Sequence, residues 1–155
     1  MKCPTCGSEQ WKRGTTPHVE EIDGRKFKAD LAAQVCRKCG EAIVALGELD
    51  RFEIEVALSL AQAGAHSGDA IRTMRKAIGL SGTALAELLD VSLETISRWE
   101  NGGRAAPPSA VATLGAMVLD HAAGSTTTTD RLQALRKGPR LAKVVRLDLR
   151  AAARR

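Results

Sequence analysis

Aromatic residues and long apolar runs are both scarce in this sequence of 155 residues. It has no tyrosine and only two tryptophans and two phenylalanines, so any hydrophobic core must be mainly aliphatic. No apolar run approaches the roughly 18 residues that a membrane-spanning helix needs, and the N-terminus lacks the apolar segment of a signal peptide. We therefore expect a cytoplasmic protein that has no membrane partner.

Recognisable catalytic groupings are absent as well. The three histidines, His18, His66 and His121, are far apart in the sequence. No nucleophile, base and orienting group stand at a spacing typical of a catalytic site. The sequence therefore predicts that the protein is not an enzyme.

Positive charge is concentrated near the C-terminus. The net charge is +5, with nine Lys and Arg against one Asp in residues 131–155 and fourteen against seventeen acids in residues 1–130. A basic C-terminal segment favours an anionic partner such as nucleic acid, and a solvated extension is the alternative. We assign residues 136–155 as a basic C-terminal tail, whose candidates for phosphate contacts are Arg136, Lys137, Arg140, Lys143 and Arg146.

The four cysteines form two C-x-x-C pairs, CPTCG at residues 3–7 and CRKCG at residues 36–40, with 29 residues between the pairs. Thiols stay reduced in the cytoplasm, so this pattern favours metal binding or catalysis over disulfides. Tetrahedral Zn²⁺ binds thiolates at about 2.3 Å, and four of them leave no open position for a water molecule. We predict a closed, structural zinc site with four ligands, Cys3, Cys6, Cys36 and Cys39.

Two other uses of the cysteines compete with zinc. The pairs CPTCG and CRKCG also resemble those of rubredoxins, and this resemblance implies an iron centre that transfers single electrons. Rubredoxins are acidic and rich in aromatics around the metal, whereas this segment is nearly neutral and has only Trp11 and Phe27, which favours zinc. A thioredoxin-like redox role is less favoured still, because no βαβ pattern surrounds either pair.

Residues 1–64 are predicted to form the zinc-binding domain. Asp23-Gly24 is a typical two-residue hairpin turn, and apolar residues then recur at every second position from Phe27 to Val35, which indicates a β-hairpin. Few large apolar side chains are available to stabilise it, so a bound metal should close this small unit. Apolar residues at helical spacing after residue 48 predict one helix that ends at Gly64.

Residues 65–68 are predicted to be a linker, and residues 69–135 an all-α domain of short helices. Polar residues that can cap a helix stand before the apolar segments of this part. The predicted N-cap residues are Asp69, Ser81, Ser92, Ser109 and either Thr129 or Asp130.

The segment LSGTALAELLDVSLETISRWENG, residues 80–102, resembles the helix-turn-helix of the XRE and lambda-repressor type, and the match extends over residues 71–108. Position 82 departs from the family, which usually has a DNA-contacting Gln where this chain has Gly82. The expected fold class is therefore two small domains. The first is a zinc-bound β-hairpin, or ribbon, with a helix, and the second is an all-α XRE-type helix-turn-helix domain.

The resemblance implies that residues 92–100 form a helix that enters the major groove of DNA. Helical spacing turns Ile96 and Trp99 inward and leaves one polar face outward, comprising Glu94, Ser97, Arg98 and Asn101. Arg98 can donate to guanine O6 and N7, and Glu94 can accept from a cytosine amino group. The same two residues could instead form an i,i+4 ion pair that only stabilises the helix.

Phosphate contacts are predicted for Thr95, Asn101 and Arg104. Residues 65–124 contain only five Lys and Arg against six acids, which is little positive charge for a lone DNA-binding domain. One helix also reads only a few base pairs, and tight binding to a double-stranded operator normally requires a dimer with half-sites about 34 Å apart. We therefore expect a homodimer.

The order of these segments resembles that of MqsA-type (YgiT-type) zinc-finger/helix-turn-helix antitoxins. The resemblance rests on CPTCG, CRKCGE, ISRWENG and the PPS at residues 107–109, and it spans residues 1 to about 135. It implies a type II toxin-antitoxin system in which the zinc domain neutralises a toxin protein and a dimer represses the operon. The alternative is a stand-alone XRE-family transcriptional regulator with a structural zinc module.

Overall fold

The computed structural model describes residues 1–138 and 142–146, so the predicted phosphate contact at Arg140 lies outside the described residues. Three β-strands precede six α-helices in this part of the chain. None of these helices combines the length and the apolarity needed to cross a membrane. The elements are β1 (Trp11–Ile22), β2 (Arg25–Cys36), β3 (Ala42–Val44), α1 (Glu48–Gln62), α2 (Gly68–Ala77), α3 (Gly82–Leu89), α4 (Leu93–Glu100), α5 (Pro108–Ala122) and α6 (Thr127–Lys137).

Strands β1 and β2 form the predicted antiparallel hairpin. Their register runs from the pair Ile22 and Arg25 to the pair Trp11 and Cys36. Both turn residues have a positive φ, 53° at Asp23 and 72° at Gly24, as a tight two-residue hairpin turn requires. The short strand β3, which no pattern in the sequence predicted, pairs with the other edge of β2 and completes a three-stranded sheet.

One face of the hairpin packs on α1. The apolar side chains alternate along β2 as predicted, and Leu31 and Ala33 are buried. Leu31 belongs to the same buried cluster as Phe52 of α1. The rings of Phe52 and His18 pack edge to face, with 4.8 Å between their centroids. The sheet is therefore anchored to the helices by a cluster of apolar side chains that includes none of the cysteines.

Helix α1 packs against α2 and α5, and its apolar face joins theirs in one buried cluster. Phe52, Val56 and Leu60 are the largest buried side chains that α1 contributes. Ala65 also packs on this cluster, although it lies in the segment predicted to be a linker. The division of the chain at residues 65–68 stays a prediction, while the core itself extends from the hairpin to α5.

Two of the predicted helix caps are confirmed. The side chains of Ser81 and Ser92 accept hydrogen bonds from the backbone N–H groups of Ala84 and Thr95, respectively. These bonds satisfy donors that a helix start would otherwise leave unpaired.

The other predicted caps are wrong. Ser67 caps α2, so Asp69 lies inside the first turn and pairs with Arg72 instead. Helix α5 starts one residue before Ser109 with a proline in its first turn, where the missing N–H would have had no partner anyway. Helix α6 begins at Thr127, before both residues predicted to cap it, and the side chain of its N-cap residue, Thr126, accepts no hydrogen bond from the helix backbone.

Candidate metal centre and nucleic-acid interface

The two C-x-x-C segments fold into the same turn. In the first, the N–H of Gly7 donates to the carbonyl of Cys3 at 2.9 Å, and in the second the N–H of Gly40 donates to that of Cys36 at 3.0 Å. Both glycines have a positive φ, 70° and 80°, which other L-residues rarely adopt. Each segment therefore directs two thiols to one side of a tight turn.

The hairpin brings the two turns together. Cys36 ends β2 opposite Trp11, and the N–H of Arg37 donates to the carbonyl of Gln10 at 2.9 Å. The Thr5 hydroxyl of the first turn donates to a carboxylate oxygen of Glu41, just beyond the second turn, at 2.8 Å. Residues distant in the sequence thus meet at the open end of the hairpin, opposite its turn.

The four thiols form one compact cluster. The Sγ atoms of Cys3 and Cys39 are 3.5 Å apart, those of Cys6 and Cys36 are 3.7 Å apart, and all four lie within 4.8 Å of one another. A disulfide requires about 2.05 Å, so these are separate thiols. Four sulfurs placed tetrahedrally at about 2.3 Å from a metal would be about 3.8 Å apart. The cluster therefore has the size that a tetrahedral metal ion requires.

The two thiols of the second turn have opposite pKa shifts. Hydrogen bonds, first from the backbone N–H of Cys39 and then from that of Lys38 and from the thiols of Cys39 and Cys6, lower the pKa of the Cys36 thiol from 9.0 to about 6, despite its burial. The backbone N–H of Glu41 lowers the pKa of Cys39, but the other three thiols and burial outweigh it and raise that pKa to about 12. One thiolate forms easily, whereas several repel one another, and a cation at their centre would remove this repulsion.

Helix α4 carries most of the predicted DNA-binding residues. Ile96 and Trp99 are buried on its inner face, while Glu94, Ser97 and Arg98 are exposed along its outer face. Asn101 follows the last turn of the helix and is also exposed. The structure thus brings these four polar residues together on one surface.

Glu94 and Arg98 form an ion pair on this surface. Arg98 Nη2 donates to Glu94 Oε1 at 2.6 Å, and the two side chains are 60% and 71% exposed, respectively. An exposed i,i+4 pair of this kind stabilises a helix by about 0.3–0.5 kcal/mol. Breaking it would therefore require little free energy, and both side chains would then be available to a partner.

The predicted phosphate contacts lie at the two ends of α4. The Thr95 hydroxyl is 2.9 Å from that of the capping residue Ser92, at the start of the helix. Arg104 is exposed just beyond its end. Asn101 is held from both sides, because Arg72 Nη2 donates to its carbonyl oxygen at 2.7 Å and its amide donates to Ser97 at 3.2 Å.

A largely buried ion pair, which no local sequence pattern indicates, fixes the end of α4 on α2. Arg75 donates through Nε and Nη2 to the two carboxylate oxygens of Glu100 at 2.5 and 2.9 Å. These side chains are only 11% and 9% exposed. Arg75 Nη1 also donates to the carbonyl of Leu80 at 2.7 Å, so one guanidinium joins α2, the start of the α3 segment and α4.

The backbones of α2 and α4 approach closely at the same place. A Cβ atom on Gly68 would lie 2.5 Å from the carbonyl oxygen of Glu100, so only glycine fits there without a shift. The neighbouring Ser67 caps α2, and its hydroxyl also donates to the carboxylate of Asp23 in the hairpin turn. No local pattern links residues so far apart in the sequence, and these contacts were therefore not predictable from spacing.

Comparison with known proteins identifies one family. The family model described as the antitoxin component of a bacterial toxin-antitoxin system, MqsA, matches residues 1–123. No curated protein matches the chain. The matched region includes the four cysteines and α4, and it ends before α6 begins.

Proposed function

The chain belongs to the MqsA family of antitoxins, and from this premise we propose that it neutralises a toxin protein and represses its own operon as a DNA-binding homodimer. The observation that carries the proposal is the family match, which covers the cysteine cluster and α4 together. Toxin binding is assigned to the zinc-binding part, residues 1–64. Operator binding is assigned to the helical part, residues 69–135.

Zinc is the proposed metal, held by Cys3, Cys6, Cys36 and Cys39. When bound it supplies folding free energy and no chemistry, because four thiolates fill its coordination positions. Two observations support this proposal. The distances between the sulfurs fit a tetrahedral metal ion, and only Cys3 of the first ten residues is buried, so few apolar contacts hold this segment in place. The metal would thus keep the N-terminal segment folded against the hairpin.

Helices α3 and α4 are proposed to act as a helix-turn-helix. Three residues join them, and Asp90 adopts the left-handed conformation at φ 54° that turns the chain sharply. Leu85 and Ala86 of α3 pack with Ile96 of α4 in the core, which leaves the outer face of α4 free to enter a major groove.

Arg98 is proposed to read a guanine through O6 and N7, and Glu94 a cytosine amino group. The exposed ion pair between them supports this assignment, because it holds both side chains on the outer face and is weak enough to exchange for base contacts. Thr95, Asn101 and Arg104 are proposed to bind phosphates. Ser97, between the two base-reading residues, completes the interface.

Dimerisation is proposed because the helical part carries too little positive charge to bind tightly alone. Residues 65–124 have five Lys and Arg against six acids, and two of those cations, Arg72 and Arg75, already pair with Glu100. Two copies on one operator would double the phosphate and base contacts.

Replacing Arg98 by Ala tests the DNA-binding assignment. The variant should lose about 1–3 kcal/mol of affinity for a duplex from upstream of its own coding sequence, and its preference should relax at one base pair. Arg51→Ala is the matched control, because Arg51 is also an exposed arginine that pairs with a glutamate within its helix, and it lies on α1. Equal affinity of the Arg98→Ala variant and the wild-type protein would refute the assignment.

Co-expression tests the antitoxin assignment. The product of an adjacent gene should co-purify with the full chain, and its toxicity to growing cells should disappear in the presence of the chain. A protein that binds its upstream duplex but neither retains nor protects against a neighbouring product would instead be a stand-alone regulator.

A further inference from the structure

A groove of about 940 Å³ runs along one flank of α4 and separates it from α6. Its near wall contains Ser92 and Thr95 at the start of α4, together with Arg104 just after the helix. Its far wall contains Leu132, Leu135 and Arg136 of α6. The groove therefore has hydroxyls and a cation on one side, and a second cation with two aliphatic side chains on the other, while Asp90, in the turn between α3 and α4, adds a carboxylate to its lining.

The position of the groove next to α4 determines what would fill it. An α-helix with its side chains is about 10–12 Å wide and occupies most of a major groove about 12 Å wide. The flanks of an inserted helix consequently face the two phosphate backbones. Thr95 and Arg104 lie on such a flank, so one backbone would run into the groove and meet α6.

Arg136 is already held at this wall by an exchangeable contact. Its Nη1 atom lies 3.7 Å from Oε2 of Glu87 on α3, and the two side chains are 49% and 62% exposed, respectively. Such an exposed pair is weak, and a phosphate could replace the carboxylate at little cost in free energy. Helix α6 is also fixed at its start, where the N–H of Thr128 donates to the Asp120 carboxylate of α5 at 2.6 Å.

We propose that α6 forms a second wall for the DNA backbone, with Arg136 exchanging Glu87 for a phosphate and the two leucines contacting deoxyribose. This inference rests on the proposed operator binding and extends it to a helix outside the family match, which ends at residue 123. It also adds a cation to an interface to which α4 and its neighbours contribute little positive charge.

The test compares three variants of the full chain, Arg136→Gln, Glu87→Gln and the double variant, on the duplex from upstream of its own coding sequence. Loss of one phosphate contact should reduce the slope of log affinity against log salt by about 0.9. Arg136→Gln should therefore be less sensitive to salt, by about 3.5-fold in affinity between 50 and 200 mM. Glu87→Gln should bind more tightly than wild type, and in the double variant this gain should disappear.

Arg131→Gln is the matched control, because Arg131 lies on the same helix but does not line the groove. Its salt slope should equal that of the wild-type protein apart from a small long-range effect. If the ion pair only holds α6 in place, Arg136→Gln and Glu87→Gln should instead change affinity in the same direction, and this result would overturn the proposal.

The aliphatic wall could alternatively receive a second copy of the chain. In that case Arg136→Gln would change the molar mass measured by light scattering and leave the salt slope unchanged, which also overturns the proposal. If the wild-type protein binds no duplex at all, the proposed operator binding is itself refuted. If the wild-type protein binds and the variants have the same salt slope as it does, only the proposed role of α6 is refuted.

Discussion

Removal of the Glu100 carboxylate tests how α4 is held in place. Glu100 accepts two hydrogen bonds from Arg75 and its side chain is 9% exposed, so Glu100→Ala would leave a largely buried guanidinium whose remaining hydrogen bond is to the carbonyl of Leu80. Breaking one side of a buried ion pair costs about 3–5 kcal/mol. Because the Arg75 side chain is still 11% exposed, water can partly replace the lost carboxylate, and we expect a loss near the lower end, about 3 kcal/mol.

Urea denaturation followed by far-ultraviolet circular dichroism measures this loss. In a thermal scan, about 3 kcal/mol corresponds to a decrease in Tm of about 6–12 °C for a chain of this size. Glu94→Ala is the matched control, because it breaks an exposed glutamate–arginine pair on the same helix. The control should change the free energy of unfolding by no more than about 0.5 kcal/mol.

A double variant separates the ion pair from general damage to the core. Arg75→Met with Glu100→Leu replaces both charges by apolar side chains, and such replacements are often neutral or stabilising. We expect the double variant to be more stable than Glu100→Ala. The reasoning is refuted if Glu100→Ala lies within about 0.5 kcal/mol of the wild-type protein, or if the double variant is the least stable of the three.

Two other predictions follow from the same contacts between elements. Gly68→Ala should lower the free energy of unfolding by about 1–3 kcal/mol, because its Cβ would lie 2.5 Å from a backbone carbonyl oxygen of α4. Gly103→Ala, whose Cβ would have ordinary contacts from 3.7 Å, should have a smaller effect, and equal losses would contradict the explanation. Glu48→Gln should be less stable than wild type at neutral pH, because the Ala32 N–H lowers the pKa of Glu48 from 4.5. A carboxylate whose pKa is lowered in the folded state stabilises the protein at pH values above its ordinary pKa, and this stabilisation is lost as acid protonates it. The free energies of unfolding of the two proteins should therefore become equal at acid pH, and a difference that persists at acid pH would contradict the assignment.

Local sequence patterns predicted the features that depend on neighbouring residues. Asp23-Gly24 identified the hairpin turn because few residues tolerate a positive φ. Ser81 and Ser92 identified helix starts because a capping side chain accepts a hydrogen bond from the backbone N–H three residues later. The cysteine cluster was predictable because C-x-x-C turns have a characteristic geometry, and the hairpin brings the two turns together.

The same local patterns do not predict contacts between residues that are far apart in the sequence. Arg75 and Glu100 are 25 residues apart and belong to different helices, so helical spacing alone could not pair them. Ser67 was assigned to the linker at residues 65–68, yet it caps α2 and bonds to the hairpin turn. Strand β3 is three residues long, too short to show a period.

The shared core has a consequence for how the two proposed functions are arranged. The hairpin is joined to the helices through Leu31 and Phe52, and α1 packs in turn on α2 and α5. Toxin and operator would therefore bind to parts of the molecule that are in direct contact. The cysteines lie at the open end of the hairpin, opposite its turn, where a metal can hold the N-terminal segment without disturbing this core.

Metal content measured on the intact, full-length protein tests the central claim most directly. Native mass spectrometry should show one zinc ion for each chain, and its removal by a chelator should free all four thiols for alkylation. A folded chain that contains no metal, or one whose bound ion is iron with strong visible absorbance that bleaches on reduction, would contradict the proposed zinc site.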